Sequence, residues 1–175
     1  MKEKLLGKTP EELKSVASEC GLPQFSAKQI ARWMYVRRAG SIDAMTDISK
    51  AGQEALKERY DLGVTTPSAC SESSDGTRKY LFPVTCQMGK ALEDSSVEAV
   101  MIPDDDRRTL CVSSQAGCRM GCKFCMTGRQ GFHGNLSAAD ILSQFVAVEE
   151  SRDLTNAVFM GMGEPLDNLD AVMRA

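Results

Sequence analysis

No apolar run in this 175-residue sequence approaches the ~20 residues needed to span a bilayer, which excludes a helical membrane anchor within it. The opening Met1-Lys2-Glu3-Lys4-Leu5-Leu6-Gly7-Lys8 lacks the apolar core of a signal peptide, so a cytoplasmic location with no membrane partner is expected. Histidine is limited to His133, and no fourth cysteine stands at a spacing that would complete the group Cys118, Cys122 and Cys125. Acidic residues are missing between Arg107 and Arg129, although the whole chain carries a net charge of −3. The five basic residues in that stretch, Arg107, Arg108, Arg119, Lys123 and Arg129, give a local +5. Such a patch suits an anionic partner, either a polyphosphate backbone or a thiolate-bound cluster, and a solvated loop is the alternative.

The length allows one substantial domain, or a small one with part of a larger one. Thr9-Pro10-Glu11-Glu12 reads as a helix start closed by a capping box, with Leu13, Val16, Ala17 and Cys20 on one face and Gly21 as the stop. Ser26 with Gln29 repeats that signal for a second helix through Ile30, Trp33, Met34 and Arg37. A third helix is expected from Ser49 to Tyr60. Together they form a small helical domain over residues 1–66. On the second helix Lys28, Arg32, Arg37 and Arg38 lie beside Trp33 and Tyr35, either as an RNA-binding face or as solvated charges around a core tryptophan.

Thr65-Thr66-Pro67-Ser68 and Ser71 to Gly76 are turn-rich and mark a boundary. Arg78 to Thr85 and Ser96 to Pro103 then read as two paired strands joined by the loop holding Gly89, a β extension over 67–103. Asp104-Asp105-Asp106 follows as a magnesium site or a solvated turn. The segment 104–175 carries a strand from Arg108 to Ser114, the cysteine loop, a helix capped by Ser137 with Asp140, and a strand from Asn156 to Gly161. Ile141, Leu142, Phe145, Val146 and Val148 supply the apolar face of that helix. Strand, helix, strand in this order predicts a right-handed βαβ unit with parallel strands. Gly161-Met162-Gly163-Glu164-Pro165 follows the second strand, and no third glycine completes a dinucleotide fingerprint.

Three thiolates in one loop make an incomplete cage. Cysteine is the usual ligand of iron–sulfur clusters, and a four-iron cluster held by three cysteines keeps one iron open. The competing reading is a Cys3His zinc site with His133, which would stabilise a non-catalytic RNA-binding module. The gap of eight residues from Cys125 to His133 exceeds the usual spacing of about two to five. Seven cysteines, clustered in this way, suit metal ligation in a reducing compartment better than a disulfide framework.

The spacing Cys-x3-Cys-x2-Cys resembles that of the radical S-adenosylmethionine (SAM) enzymes. The run from Thr109 to Cys118, with Phe124 to Gly128 and Gln130-Gly131-Phe132, resembles the RlmN family of RNA adenine-C2 methyltransferases. So do Leu22 to Phe25, Ala27 to Ile30 and Gly161 to Asn168. The resemblance implies an α/β fold: the small helical domain, the β extension, and the first βα units of a truncated partial (β/α)6 barrel, with Arg108 to Ser114 as its first strand. It implies a 4Fe-4S cluster on Cys118, Cys122 and Cys125, and SAM bound at its amino end by Gly163 and Glu164. It further implies methylation of adenine C2 in 23S rRNA and tRNA, through a methyl-carrying cysteine, with an electron donor such as flavodoxin and a monomeric full-length enzyme. An adenine-C8 methylating relative is the alternative chemistry.

Within that pattern Glu98 would take the C2 proton and Cys111 would resolve a covalent enzyme–RNA intermediate. From the residues alone, Cys111 could equally be buried apolar filler. Strand alternation puts Glu98 on the side of Val100 and Ile102, so its carboxylate is either at a solvated edge or in a poorly hydrated site where it can act as a base. Cys20, Cys70 and Cys86 match no functional position. The family's methyl-carrying cysteine lies toward the C-terminus and has no counterpart before Ala175, so an N-terminal fragment, inactive by itself, is expected.

Overall fold

The structure, a computed structural model, describes residues 2–88 and 91–175. Gly89, expected between the two long strands, lies outside the described residues. The chain forms two compact units, Met1–Val64 and Thr65–Ala175.

The first unit runs β1 (Glu3–Lys4), α1 (Pro10–Glu19), α2 (Ser26–Ala31), a wider π turn (Arg32–Val36), α3 (Lys50–Arg59) and β2 (Tyr60–Asp61). The capping box of α1 forms as expected: the Glu12 N–H donates to Thr9 Oγ1 at 3.3 Å and the Thr9 N–H to the Glu12 carboxylate at 2.7 Å. Leu13, Val16 and Ala17 are buried, and Gly21 takes the positive φ of 65° that ends the helix. Ser26 makes no cap; it is buried, and its helix starts without a side-chain cap bond. Ser49 does cap α3, accepting from the Gly52 N–H. The parallel pair β1 and β2 is unforeseen, since two-residue strands are too short to leave a period. Trp33 is half-buried, its indole N–H donating to Asp47 at 2.5 Å and its ring covered by the Arg37 guanidinium at 4.2 Å. The core lies instead in Leu5, Leu13, Ile30, Met34, Met45 and Leu56.

The second unit comprises β3 (Ala69–Glu72), β4 (Arg78–Met88), β5 (Ala91–Asp104), β6 (Arg107–Cys111), β7 (Gln115–Gly117), α4 (Met126–Gln130), β8 (Phe132–Asn135), α5 (Ala138–Val146), β9 (Asn156–Val158) and α6 (Leu169–Arg174). One sheet has the order β3-β4-β5-β6-β9, antiparallel as far as β6 and parallel between β6 and β9. The expected βαβ unit is therefore present, and no closed barrel exists among the described residues. Ser71 and Glu72, expected in a turn, belong to β3, and the reversal is confined to 73–77. The acidic triplet is exposed: Asp104 ends β5, Asp105 and Asp106 make the turn to β6, and the Arg107 guanidinium lies on the Asp104 carboxylate. Among the described residues no helix is long and apolar enough to cross a membrane.

Alternation divides this sheet into two faces. Tyr80, Phe82, Val84, Cys86, Val97, Ala99, Met101 and Leu110 are buried together with Ile141 and Val148 from the α5 side. Lys79, Glu98, Val100, Ile102 and Cys111 lie on the opposite, partly open face. α5 departs from its expected amphipathic pattern. Ile141 is buried, yet Leu142, Phe145 and Val146 are only half-buried, while Ser143 and Gln144 are fully enclosed. The reason is a polar clamp: Gln144 Oε1 accepts the Ser113 N–H at 2.8 Å and Gln144 Nε2 donates to the Ser113 carbonyl at 3.0 Å. Replacing Gln144 by Leu leaves two buried backbone groups unpaired, each costing ~1–3 kcal/mol. Gln144→Leu should therefore lose about 3 kcal/mol in urea denaturation, whereas Arg107→Ala, at an exposed pair, should change stability by less than ~1 kcal/mol.

Candidate cofactor site

β6 ends at Cys111, short of the Ser114 limit expected from its pattern, because Gln115–Gly117 leaves the sheet to pair with β8. The cysteine loop is thus the tip of a two-stranded ribbon. Its neck closes where the Cys118 N–H donates to the Gly131 carbonyl at 3.0 Å. A Cβ on Gly117, whose φ is 72°, would lie 1.9 Å from that oxygen, so only glycine fits.

Cys118 and Cys125 are half-buried and Cys122 is exposed; all are free thiols. The Met120 N–H approaches Cys118 Sγ at 3.5 Å. The N–H of Gly128 above all holds the Cys125 thiol below its usual range; burial opposes it, and Thr127 adds a smaller lowering. Among the described residues no three His, Cys, Asp or Glu side chains are gathered into a metal-binding group. The three cysteines share one loop. Their chemistry fits an iron–sulfur cluster: three soft thiols, backbone N–H groups at two of the sulfurs, and no carboxylate in the loop. His133 does not join them. Its Nε2 lies 3.2 Å from the Gln130 carbonyl and its Nδ1 3.8 Å from Glu93.

The Gly-Glu-Pro segment follows β9 at the strand's C-terminal end, beside the β6 end. β9 stops at Val158, three residues before the expected Gly161. Gly161 and Gly163 are more than turn formers: a Cβ on Gly161 would meet Ser113 Oγ at 2.7 Å, and one on Gly163 would meet Gln115 Cβ at 2.5 Å. Glu164 accepts the Leu166 N–H through Oε1 at 3.1 Å, leaving Oε2 with no hydrogen-bond partner among the described residues. A free carboxylate oxygen at a strand end fits an ammonium group.

Glu98 and Cys111 share the open face of the sheet. Cys111 is registered against Val100, two residues from Glu98, a diagonal relation of about 7–8 Å between Cα positions. Burial pushes the Cys111 thiol up, and the Met160 N–H partly offsets this. Glu98 is not in a dry site. Its side chain is 45% exposed and pairs with Lys79 at 3.1 Å, which selects the solvated-edge alternative.

Several residues that build the site carried no separate signal in the sequence. Ser113 Oγ donates to the Glu98 carbonyl at 2.6 Å and accepts the Met162 N–H at 2.8 Å. Asn168 donates to the carbonyls of Ser114 and Leu136. Arg119, although exposed, is paired with Asp167 at 2.7 Å and lies over Phe132 at 4.1 Å, so one charge of the expected anionic-partner patch already has an intramolecular partner. The available clue was a run of polar residues directly after the apolar strand end Leu110-Cys111-Val112.

Residues 3–62 match the family model described as the ribosomal RNA large subunit methyltransferase N-terminal domain, and residues 112–175 match the radical SAM superfamily. A curated relative from Porphyromonas gingivalis, named a probable dual-specificity RNA methyltransferase RlmN, is 55% identical over 98% of this chain and 48% of its own length. The dual-specificity RNA methyltransferase RlmN of Geobacter sulfurreducens is 45% identical over 97% and 45%. The crystal structure of a radical SAM methyltransferase from Sphaerobacter thermophilus superimposes with a TM-score of 0.85 at 38% identity, covering 98% of this chain and 50% of that one. The chain spans about half the length of the curated relatives it matches. With a cysteine ribbon and a Gly-Glu-Pro segment set side by side at the ends of parallel strands, the chain is similar along nearly its whole length to about half the length of RlmN-type radical SAM proteins.

Proposed function

We propose that this chain is the N-terminal part of a radical SAM methyltransferase that adds a methyl group to C2 of an adenosine in 23S rRNA and in tRNA. The observation that carries this reading is the placement of the three-cysteine ribbon and the Gly163–Glu164 segment at adjacent strand ends, where chemistry gathers in βα architectures. Cys118, Cys122 and Cys125 would hold three irons of a 4Fe-4S cluster, and Glu164 with the Gly163 backbone would take the amino end of SAM. When bound, this pair supplies the one-electron chemistry needed to break an unactivated C–H bond. The complete enzyme would work in the cytoplasm as a monomer, with electrons from a flavodoxin-type donor.

The chain's own residues are assigned the later proton and thiol steps. Glu98 accepts the proton lost from C2, for which substrate has to displace Lys79 from its carboxylate. Cys111, on the same face, supplies the thiolate that attacks the sulfur of the methyl-carrying cysteine: an S–S bond forms, the S–C bond to the RNA-bound methylene breaks, and its electron pair stays with the RNA carbon, which takes a proton to become the methyl group. The first unit supplies the RNA-contacting surface through exposed Lys28, Arg32 and Arg37.

Anaerobic reconstitution with iron and sulfide should give a brown protein whose spectrum changes on adding SAM, and Cys118→Ala, Cys122→Ala or Cys125→Ala should abolish it. Bound zinc with no acid-labile sulfide would instead establish the zinc module. In a version extended to the length of its relatives, Cys111→Ala should still cleave SAM while accumulating enzyme cross-linked to RNA. Glu98→Gln should slow product formation by ~10²-fold or more with the cluster intact. Clean turnover by either variant would remove that residue from the mechanism, and mass spectrometry of the adenosine separates C2 from C8 products.

A further inference from the structure

We infer that Gln115 and Asp167 are positioning residues that couple the cysteine ribbon to the Glu164 segment, so that a cofactor held at one is oriented by the other. This rests on the cofactor reading above. Gln115 is fully buried and uses both ends of its amide. Its Oε1 accepts the Glu164 N–H at 2.9 Å, and its Nε2 donates to Asn135 Oδ1 and to Asp167 Oδ2, both at 2.8 Å. Asp167 Oδ2 also accepts from Arg119 Nε at 2.7 Å, and Arg119 directly follows Cys118. The bonds run without a break from the cysteine ribbon through Asp167 and Gln115 to the backbone of Glu164.

The contact is also steric. Gly163 has φ 95° and sits so close to Gln115 that a Cβ would fall 2.5 Å from the glutamine Cβ, which leaves the Gly-Glu-Pro backbone little room to move. A leucine of similar volume could fill the same space. A buried amide with its groups satisfied fixes distance and direction as well. A small molecule bridging thiol-held metal and the Glu164 segment loses affinity when either side drifts, because each must be re-ordered on binding.

The test is SAM titration of the reconstituted cluster, followed by its absorbance, in wild type, Gln115→Leu, Asp167→Asn and the double variant. Asp167→Asn keeps an acceptor for Gln115 but removes the ion pair with Arg119; Gln115→Leu cuts the bond to Glu164. Each single variant should keep wild-type iron and sulfide content and weaken SAM binding about tenfold, the scale of losing a supporting bond behind a ligand. The double variant should be less than additive, since both changes interrupt one chain of bonds. Should Gln115→Leu fail to fold, Asp167→Asn, at the partly exposed end, decides the matter. Unchanged SAM affinity in Asp167→Asn, or loss of cluster and thermal stability in parallel with SAM binding, would overturn the coupling. A wild-type cluster that never responds to SAM would overturn the cofactor reading and the coupling with it, and is distinguished by appearing before any substitution is made.

Discussion

Burying a run of polar residues just past the end of β6 is the constraint on which the second unit depends. Ser113, Ser114 and Gln115 are 0%, 2% and 0% exposed, and enclosed polar groups without partners are costly. Gln144 takes both backbone groups of Ser113, and the Ser113 hydroxyl joins the Glu98 carbonyl to the Met162 N–H. The N–H groups of Ser114 and Gln115 go to the Met162 carbonyl, while the Ser114 carbonyl receives Asn168 and the Leu136 N–H. Satisfying three residues therefore fixes β5, α5, the ribbon and the segment after β9 relative to one another.

That accounting explains why α5 shows a polar stripe where an apolar one was expected. A helix that only covered a sheet would turn Leu142, Phe145 and Val146 inward. Here Gln144 has to reach the strand end, and the apolar side chains are displaced to half-buried positions. The sheet face beneath α5 is still apolar. The other face carries Glu98, part-exposed and paired with Lys79, and Cys111, half-buried.

Charge follows the same logic. The +5 of the stretch from Arg107 to Arg129 is partly consumed within the unit. Arg107 answers Asp104, and Arg119 answers Asp167, while the Arg129 guanidinium also donates to the Lys123 carbonyl. What remains outward is a smaller positive surface around the thiols, with Lys123 exposed beside Cys122.

Local spacing in the sequence was enough for the features that need only neighbours. The caps at Thr9 with Glu12 and at Ser137 with Asp140, the alternation along β4 and β5, and the three-cysteine loop are all settled within a few residues. Only the tertiary structure decided the environment of Glu98, the exit of Gln115 into the ribbon and the two-strand contact of the first unit. It also decided the partners of the buried polar run, at separations of 15 to 54 residues. The physical reason is that a hydrogen-bonding group accepts any suitable partner brought within ~3 Å. Local sequence specifies that Ser113 and Gln115 need partners once buried; topology decides which residues arrive.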